Sequence, residues 1–183
     1  MMADVLLPLI AVGLAELGDK TQLSILLLSS KTTKHLQLLL GVFFAFLAVD
    51  GVAVLVGSWV TDIVPIDVLR LTAGSVFVIF GLLTLRAKEE EGESKFRFKN
   101  PFLSGFALIF MMEWGDKTQI ASALFAAKYN PIMVLLGSMM ALTALSVIAV
   151  YLGKIVSSKV DSELITRIAG IVFIIIGISF FVL

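Results

Sequence analysis

The sequence predicts an all-α integral membrane protein of six transmembrane helices, arranged as two inverted three-helix repeats. Three observations carry this. The chain is 59% hydrophobic with a mean hydropathy of +1.05, whereas a soluble domain is roughly 45–50% apolar. Six stretches approach or exceed the about 20 apolar residues that a bilayer-spanning helix needs. Features of the first half recur in the second at a nearly constant offset.

In chain order the spans are Val5–Ser30, Leu36–Val60, Val68–Leu85, Pro101–Ala127, Pro131–Gly153 and Leu164–Leu183. The third is short and would cross with little tilt. Pro8, Pro101 and Pro131 fall in first turns, where a missing N–H costs least, and Pro65 sits in the turn between the second and third spans. The only histidine, His35, lies where a loop meets a helix and reads as an interfacial polar residue. Arg86–Asn100 is polar, with Glu89, Glu90, Glu91 and Glu93 followed by Lys95, Arg97 and Lys99. It reads as a solvated linker, which gives a first repeat at 1–86, a cytoplasmic linker at 87–100 and a second repeat at 101–183.

The repeat rests on three matches. Glu16-Leu17-Gly18-Asp19-Lys20-Thr21-Gln22 returns 97 residues later as Glu113-Trp114-Gly115-Asp116-Lys117-Thr118-Gln119. Gly41 and Gly57 return as Gly137 and Gly153, and Ala73, Gly74, Phe77 and Gly81 as Ala169, Gly170, Phe173 and Gly177, each at an offset of 96. Because each unit holds three spans, an odd number, the second unit must start on the opposite side from the first. The halves are then inverted about an axis in the membrane plane, an architecture associated with secondary transporters.

Orientation follows from lysine and arginine, which concentrate on the cytoplasmic side. Lys31, Lys34, Arg86, Lys88, Lys95, Arg97, Lys99, Lys154 and Lys159 share one side, with Arg167 entering the last helix from it; Arg70 and Lys128 lie on the other. Both termini are therefore expected to be extracytoplasmic.

The two motifs carry the chemistry. A charged residue in the bilayer costs about 2.5–3.5 kcal/mol on insertion scales, so two matched clusters inside apolar stretches point to a cation site or proton relay. On a helix, Glu16 and Asp19 share a face, and Lys20 is i+4 from Glu16; Glu113, Asp116 and Lys117 repeat this. Gly18 and Gly115 can admit a kink, a broken helix or close backbone approach. Inversion brings the motifs together near the midplane, where four carboxylates converge and Thr21, Gln22, Thr118 and Gln119 add neutral oxygens. The lysines read as ion-pair partners that orient the carboxylates.

An all-oxygen site suits a hard divalent cation such as manganese, calcium or magnesium. With no cysteine and a single histidine, zinc-thiolate, disulfide and thiol chemistry are excluded, and a zero net charge gives no reason to expect nucleic acid. Met111 and Met112 beside Glu113 read as apolar packing. Four carboxylates and two lysines sum to −2, so one divalent cation, or two protons in its place, neutralises the cluster. That outlines a divalent-cation/proton antiporter with no resident cofactor, its partners being the transported ion and the lipid bilayer. Sodium in place of the proton, or a divalent-cation channel, stays open. An intramembrane aspartyl protease fits poorly, since Glu16 and Glu113 stand where its Gly-x-Gly-Asp motif needs glycine. Asp50, whose counterpart is Ser146, breaks the symmetry; it either pairs with Lys20 or Lys117 or carries a proton beside the site.

The doubled Glu-x-Gly-Asp-Lys/Arg-Thr/Ser motif in a six-span chain with inverted halves resembles the Golgi-type manganese/calcium transporter family, of the wider cation/calcium exchanger superfamily. The resemblance covers essentially the whole chain. It implies a cation/proton exchanger that moves manganese or calcium out of the cytosol. It places the motif acids on Glu16, Asp19, Glu113 and Asp116, with Lys20, Thr21, Lys117 and Thr118 completing the motifs. The family has bacterial, archaeal, plastid and Golgi members; the short linker and the lack of a leader predict a multi-pass protein of a prokaryotic plasma membrane.

Overall fold

A computed structural model describes residues 2–60, 62–86, 100–156 and 162–182. Among these the chain is helical throughout, with no strand. Eight helices follow one another: α1 (Met2–Glu16), α2 (Lys20–Ser29), α3 (His35–Val60), α4 (Ile66–Arg86), α5 (Pro101–Glu113), α6 (Lys117–Lys128), α7 (Pro131–Val156) and α8 (Ser162–Val182). Three of them, His35–Val60, Asp67–Arg86 and Pro131–Tyr151, are long and apolar enough to cross a membrane. Except for Asn100, the predicted linker at 87–100 lies outside the described residues, as do Lys159 and the side chain of Lys154.

Eight helices replace six because both motif-bearing stretches are interrupted. The first becomes α1 and α2, the second α5 and α6. The single-helix faces expected for Glu16, Asp19 and Lys20, and for Glu113, Asp116 and Lys117, are therefore not formed. A second correction concerns Pro8, which lies inside α1 rather than in its first turn. The helix begins at Met2, so Pro8 falls in its second turn, where its ring and missing N–H interrupt the regular ladder. Pro101 and Pro131 do open their helices, the first behind Asn100, whose side chain accepts from the Phe102 N–H at 2.9 Å.

Glycines let the helices approach to backbone contact, and the contacts come in matched pairs. A Cβ at Gly41 on α3 would collide with the carbonyl of Phe102 on α5; one at Gly137 on α7 would collide with that of Val5 on α1. Between α4 and α8, a Cβ at Gly81 would sit 2.6 Å from the Gly170 carbonyl oxygen, and one at Gly177 would sit 2.8 Å from that of Gly74. In both cases the partners exchange under the 96–97 offset. Without a hydrophobic driving force in lipid, such close backbone packing is what holds helices together.

Two buried clusters fill the interior. One gathers Val12, Ile25, Leu38, Phe46, Leu108, Ile109 and Leu142; the other is built on Phe77, which meets the rings of Phe125, Phe173 and Phe180 at 4.9, 5.8 and 5.6 Å. The outer surface is apolar as well, with Leu55, Trp59, Leu83, Ile132 and Ile175 exposed. Apolar patches of that extent are rare on soluble monomers and suit a lipid environment.

Candidate metal centre

Each motif is a helix, a three-residue break and a second helix. α1 ends at Glu16, and the chain turns through Gly18 at φ +82°; α5 ends at Glu113 and turns through Gly115 at φ +84°. That left-handed conformation is open to glycine with little strain and disfavoured for residues with a Cβ. The aspartate that follows stands at the N-cap of the next helix. Asp19 (φ −70°, ψ 161°) accepts from the Lys20 N–H at 2.8 Å, whereas Asp116 occupies the same position with no side-chain capping bond. A helix N-terminus favours negative charge, so each break sets its aspartate where the backbone field supports it.

The breaks bring acids from both motifs together. Carboxylate oxygens of Glu16, Asp19 and Asp116 lie within 4.8 Å of one another. Glu16 is 0% exposed, and neither of its carboxylate oxygens has a hydrogen-bond partner. Glu113, 3% exposed, stands apart from that trio; its Oε1 accepts from Thr21 Oγ1 at 2.6 Å and its Oε2 from Thr118 Oγ1 at 3.4 Å. Lys117 Nζ meets Asp19 Oδ2 at 2.8 Å, an ion pair between the motifs. Its ammonium is also attracted by Glu16 and Asp116.

The remaining expected site residues divide. Thr21 and Thr118 are buried and committed to Glu113. Gln119 accepts from the Gly115 N–H at 2.7 Å and donates to the Val49 carbonyl at 3.2 Å, bracing the second break against α3. Gln22 is buried with its amide nitrogen unpartnered. Lys20 is exposed.

Asp50 is 3% exposed and lies beside Ser122, while Lys117 is paired with Asp19 and Lys20 is exposed. Ser122 Oγ in turn lies 3.3 Å from Ser138 Oγ, so α3, α6 and α7 meet through one buried polar chain. Sequence reasoning passed over both serines. Ser122 follows Thr118 at i+4 and is therefore on its face; Ser138 carried no comparable signal. At the far end of α6, Lys128 Nζ lies buried 4.2 Å from the Phe180 ring centre, and burial, with Arg70 nearby, holds its pKa below the usual lysine range.

The chain matches the family model "Divalent cation/proton antiporter GDT1" over residues 4–92 and 101–182. It is 30% identical to the "Putative manganese exporter" of Vibrio cholerae, across 98% of this chain and 90% of that protein. It is also 30% identical to a GDT1-like protein of Synechocystis, across 90% of both chains. A GDT1-like protein of Schizosaccharomyces pombe shares 25% identity across 90% of this chain and 84% of its own. No solved structure matches the chain. With acids of both motifs gathered in the interior of an apolar helical protein, and a family match over nearly its whole length, the chain belongs to the GDT1 family of divalent cation/proton antiporters, membrane transporters rather than enzymes.

Proposed function

We propose that this protein exports manganese or calcium from the cytosol in exchange for protons, and that Glu16, Asp19 and Asp116 form the centre of the cation site. The observation that carries the reading is their mutual approach within 4.8 Å, with both oxygens of buried Glu16 uncommitted. Oxygens at about 2.3–2.6 Å from one calcium-sized ion lie at most some 5 Å apart, so the trio fits a hard divalent cation as substrate. Oxygen donors with neither thiolate nor imidazole disfavour soft metals. Manganese is favoured by the name of the Vibrio relative, calcium by the match of site size.

Each residue then has a part. Thr21 and Thr118 orient Glu113 beside the trio, while Gln22 and Gln119 support the breaks and offer further oxygens. Lys117 holds Asp19 until a divalent ion competes for that carboxylate; Lys20 is its counterpart in the first motif. The cluster needs about two positive charges for neutrality, so ion and protons exclude each other, which is the requirement for exchange. Asp50, joined to Ser122 away from the trio, carries a proton beside the site. Asp50→Asn is accordingly expected to shift the pH dependence of transport and leave metal preference unchanged; altered preference would remove it from that role.

The architecture we propose around the site is six spans in two inverted units, 1–86 and 101–183, joined by a cytoplasmic linker at 87–100. Supporting it are the paired contacts of Gly41 with Phe102 and Gly137 with Val5, which exchange under the repeat offset. A gap in the family match at 93–100 falls within the linker. The charge distribution places both termini outside the cytoplasm, in a prokaryotic cell membrane.

The test is reconstitution into vesicles that report internal pH and internal metal, with manganese, calcium and magnesium supplied in turn. Entry of manganese or calcium coupled to outward proton movement is expected. Metal flux with no proton movement, or no flux of either ion, would overturn the reading.

A further inference from the structure

Asp50 on α3, Ser122 on α6 and Ser138 on α7 are buried together, and the two hydroxyl oxygens lie 3.3 Å apart. They stand to one side of the motif acids. Val49 meets Gln119, and Gly57 meets the backbone of Ala123, so α3 and α6 run the same way, and α7 starts where α6 ends. Val60, Lys128 and Pro131 therefore mark one face of the protein. Ser122 lies about 7 Å along α6 from Lys117, and Ser138 about 10 Å inward from Pro131, at roughly 1.5 Å of rise per residue. The group sits between the motif acids and that face.

The motif acids are duplicated; this group is not. Under the repeat offset Ser122 corresponds to Ile25 and Ser138 to Val42, both buried in the first apolar cluster. Asp50 corresponds to Ser146, whose hydroxyl donates to the Leu142 carbonyl of its own helix at 2.7 Å. Towards the opposite face the matching place thus holds no acid and no hydroxyl chain. Asp50, Ser122 and Ser138 offer four side-chain oxygens on uninterrupted helices, whose carbonyls are committed to helical bonds. Calcium takes about six to eight oxygens, so the group is too poor in donors to be a second metal site. Hydroxyls that both donate and accept beside a membrane-buried carboxylate suit a proton relay.

The group also leads to the motif acids. Ser122 follows Thr118 by one turn on the same face of α6, and Thr118 Oγ1 donates to Glu113 Oε2 at 3.4 Å. Glu113 on α5 is within electrostatic reach of Asp50. The other charged groups on helices packed against α3 are engaged elsewhere or exposed. Lys117 pairs with Asp19, Asp116 belongs to the trio, Lys128 lies over Phe180 and Lys20 is exposed. α7 carries no charged residue from Pro131 to Tyr151, and His35 is at the opposite end of α3.

We propose that Asp50, with Ser122 and Ser138, is a one-sided station through which protons pass between the acid cluster and the Lys128 face, extracytoplasmic in the topology above. A proton arriving from that face forms an O–H bond on the Asp50 carboxylate. It then passes by way of the Ser122 and Thr118 hydroxyls to the cluster that Glu113 borders, and Asp50 returns to its charged form. This rests on the exchanger reading and adds to it a route and a side.

The test varies pH on one side of reconstituted vesicles at a time while manganese-driven proton flux is recorded. Asp62→Cys, carried by every protein in an otherwise cysteine-free chain, reports orientation through its reaction with an impermeant thiol reagent. A positioned proton-transfer group contributes about 10²–10⁴-fold to a rate. Asp50→Asn is therefore expected to need at least about 100-fold more protons at the Lys128 face, roughly two pH units, to reach the unmodified rate. Its dependence on pH at the other face and its KM for manganese are expected to be unchanged, and Asp50→Glu to restore the profile. Ser122→Ala and Ser138→Ala are expected to displace the profile the same way by less, which keeps the test decisive should Asp50→Asn fold poorly. Equal displacement at both faces, displacement at the other face alone, or none overturns the proposal. Sodium supplied at the Lys128 face that drives manganese flux in place of protons, and loses that effect in Asp50→Asn, overturns it too. Exchange by the unmodified protein without the one-sided displacement sinks this inference alone, while absence of exchange sinks the exchanger reading.

Discussion

Thr21 and Glu113, 92 residues apart, are joined by a 2.6 Å hydrogen bond in the buried centre of the protein. The hydroxyl belongs to the first motif and the carboxylate to the second, so this bond and the Lys117–Asp19 pair tie the two halves at the site itself. Glu113 is the one motif acid outside the close trio, and Thr21 fixes one of its two oxygens.

From this follows a prediction about positioning. Thr21→Ala is expected to lower transport by about 10- to 100-fold, the range usual for a group that orients a metal ligand, and Thr21→Ser to recover most of it. Initial rates of manganese uptake into vesicles check both. Equal loss in the serine and alanine variants would show that the threonine methyl, not the hydroxyl, is what matters.

The acids themselves should be less forgiving. Glu16→Gln, Asp19→Asn, Glu113→Gln and Asp116→Asn are each expected to reduce transport by more than about 100-fold, beyond the outer-shell range, in folded protein. Glu16→Gln has an added signature. Removing ionisable oxygens that are buried without partners should not lower thermal stability, whereas Asp19→Asn loses the charge that Lys117 engages and should lower it. Near-normal transport in any two of the four would refute the four-acid site.

Topology is testable in the same cysteine-free background. A cysteine at Thr33, in the loop between α2 and α3, is expected to resist an impermeant thiol reagent in intact cells and react after permeabilisation. A cysteine at Asp62, beyond α3, is expected to react in intact cells. The reverse pattern would place both termini in the cytoplasm.

Much of this was legible in the sequence because it depends on composition and spacing. The helical class follows from long apolar runs, and the contact glycines were visible as recurring Gly41/Gly137 and Gly74/Gly170, since a glycine where two backbones touch cannot be replaced cheaply. The breaks were less legible. Gly18 and Gly115 permit a kink or an interruption equally; what decides is the aspartate after each, a residue type that favours the N-cap position of a new helix, where both Asp19 and Asp116 stand. Asp50 was visible as an intramembrane acid, but its partner Ser122 sits on a helix distant in sequence, and Lys117 proved to be taken by Asp19. The unequal bonding of the motifs could not be read at all, because equivalent sequences carry no information about which copy's lysine is engaged.

The central claim is that a divalent cation and protons occupy the same carboxylate cluster in turn. The most direct measurement is the number of protons released when manganese binds to the purified protein in weakly buffered solution, repeated across pH. Competition requires release to rise as pH falls, towards about two protons per ion once the cluster is protonated before binding, with metal affinity weakening in step. Those protons belong to the cluster as a whole, and Glu16→Gln should lower their number. Binding of manganese that releases no protons at any pH from about 5 to 8, with affinity unchanged across that range, would contradict the account.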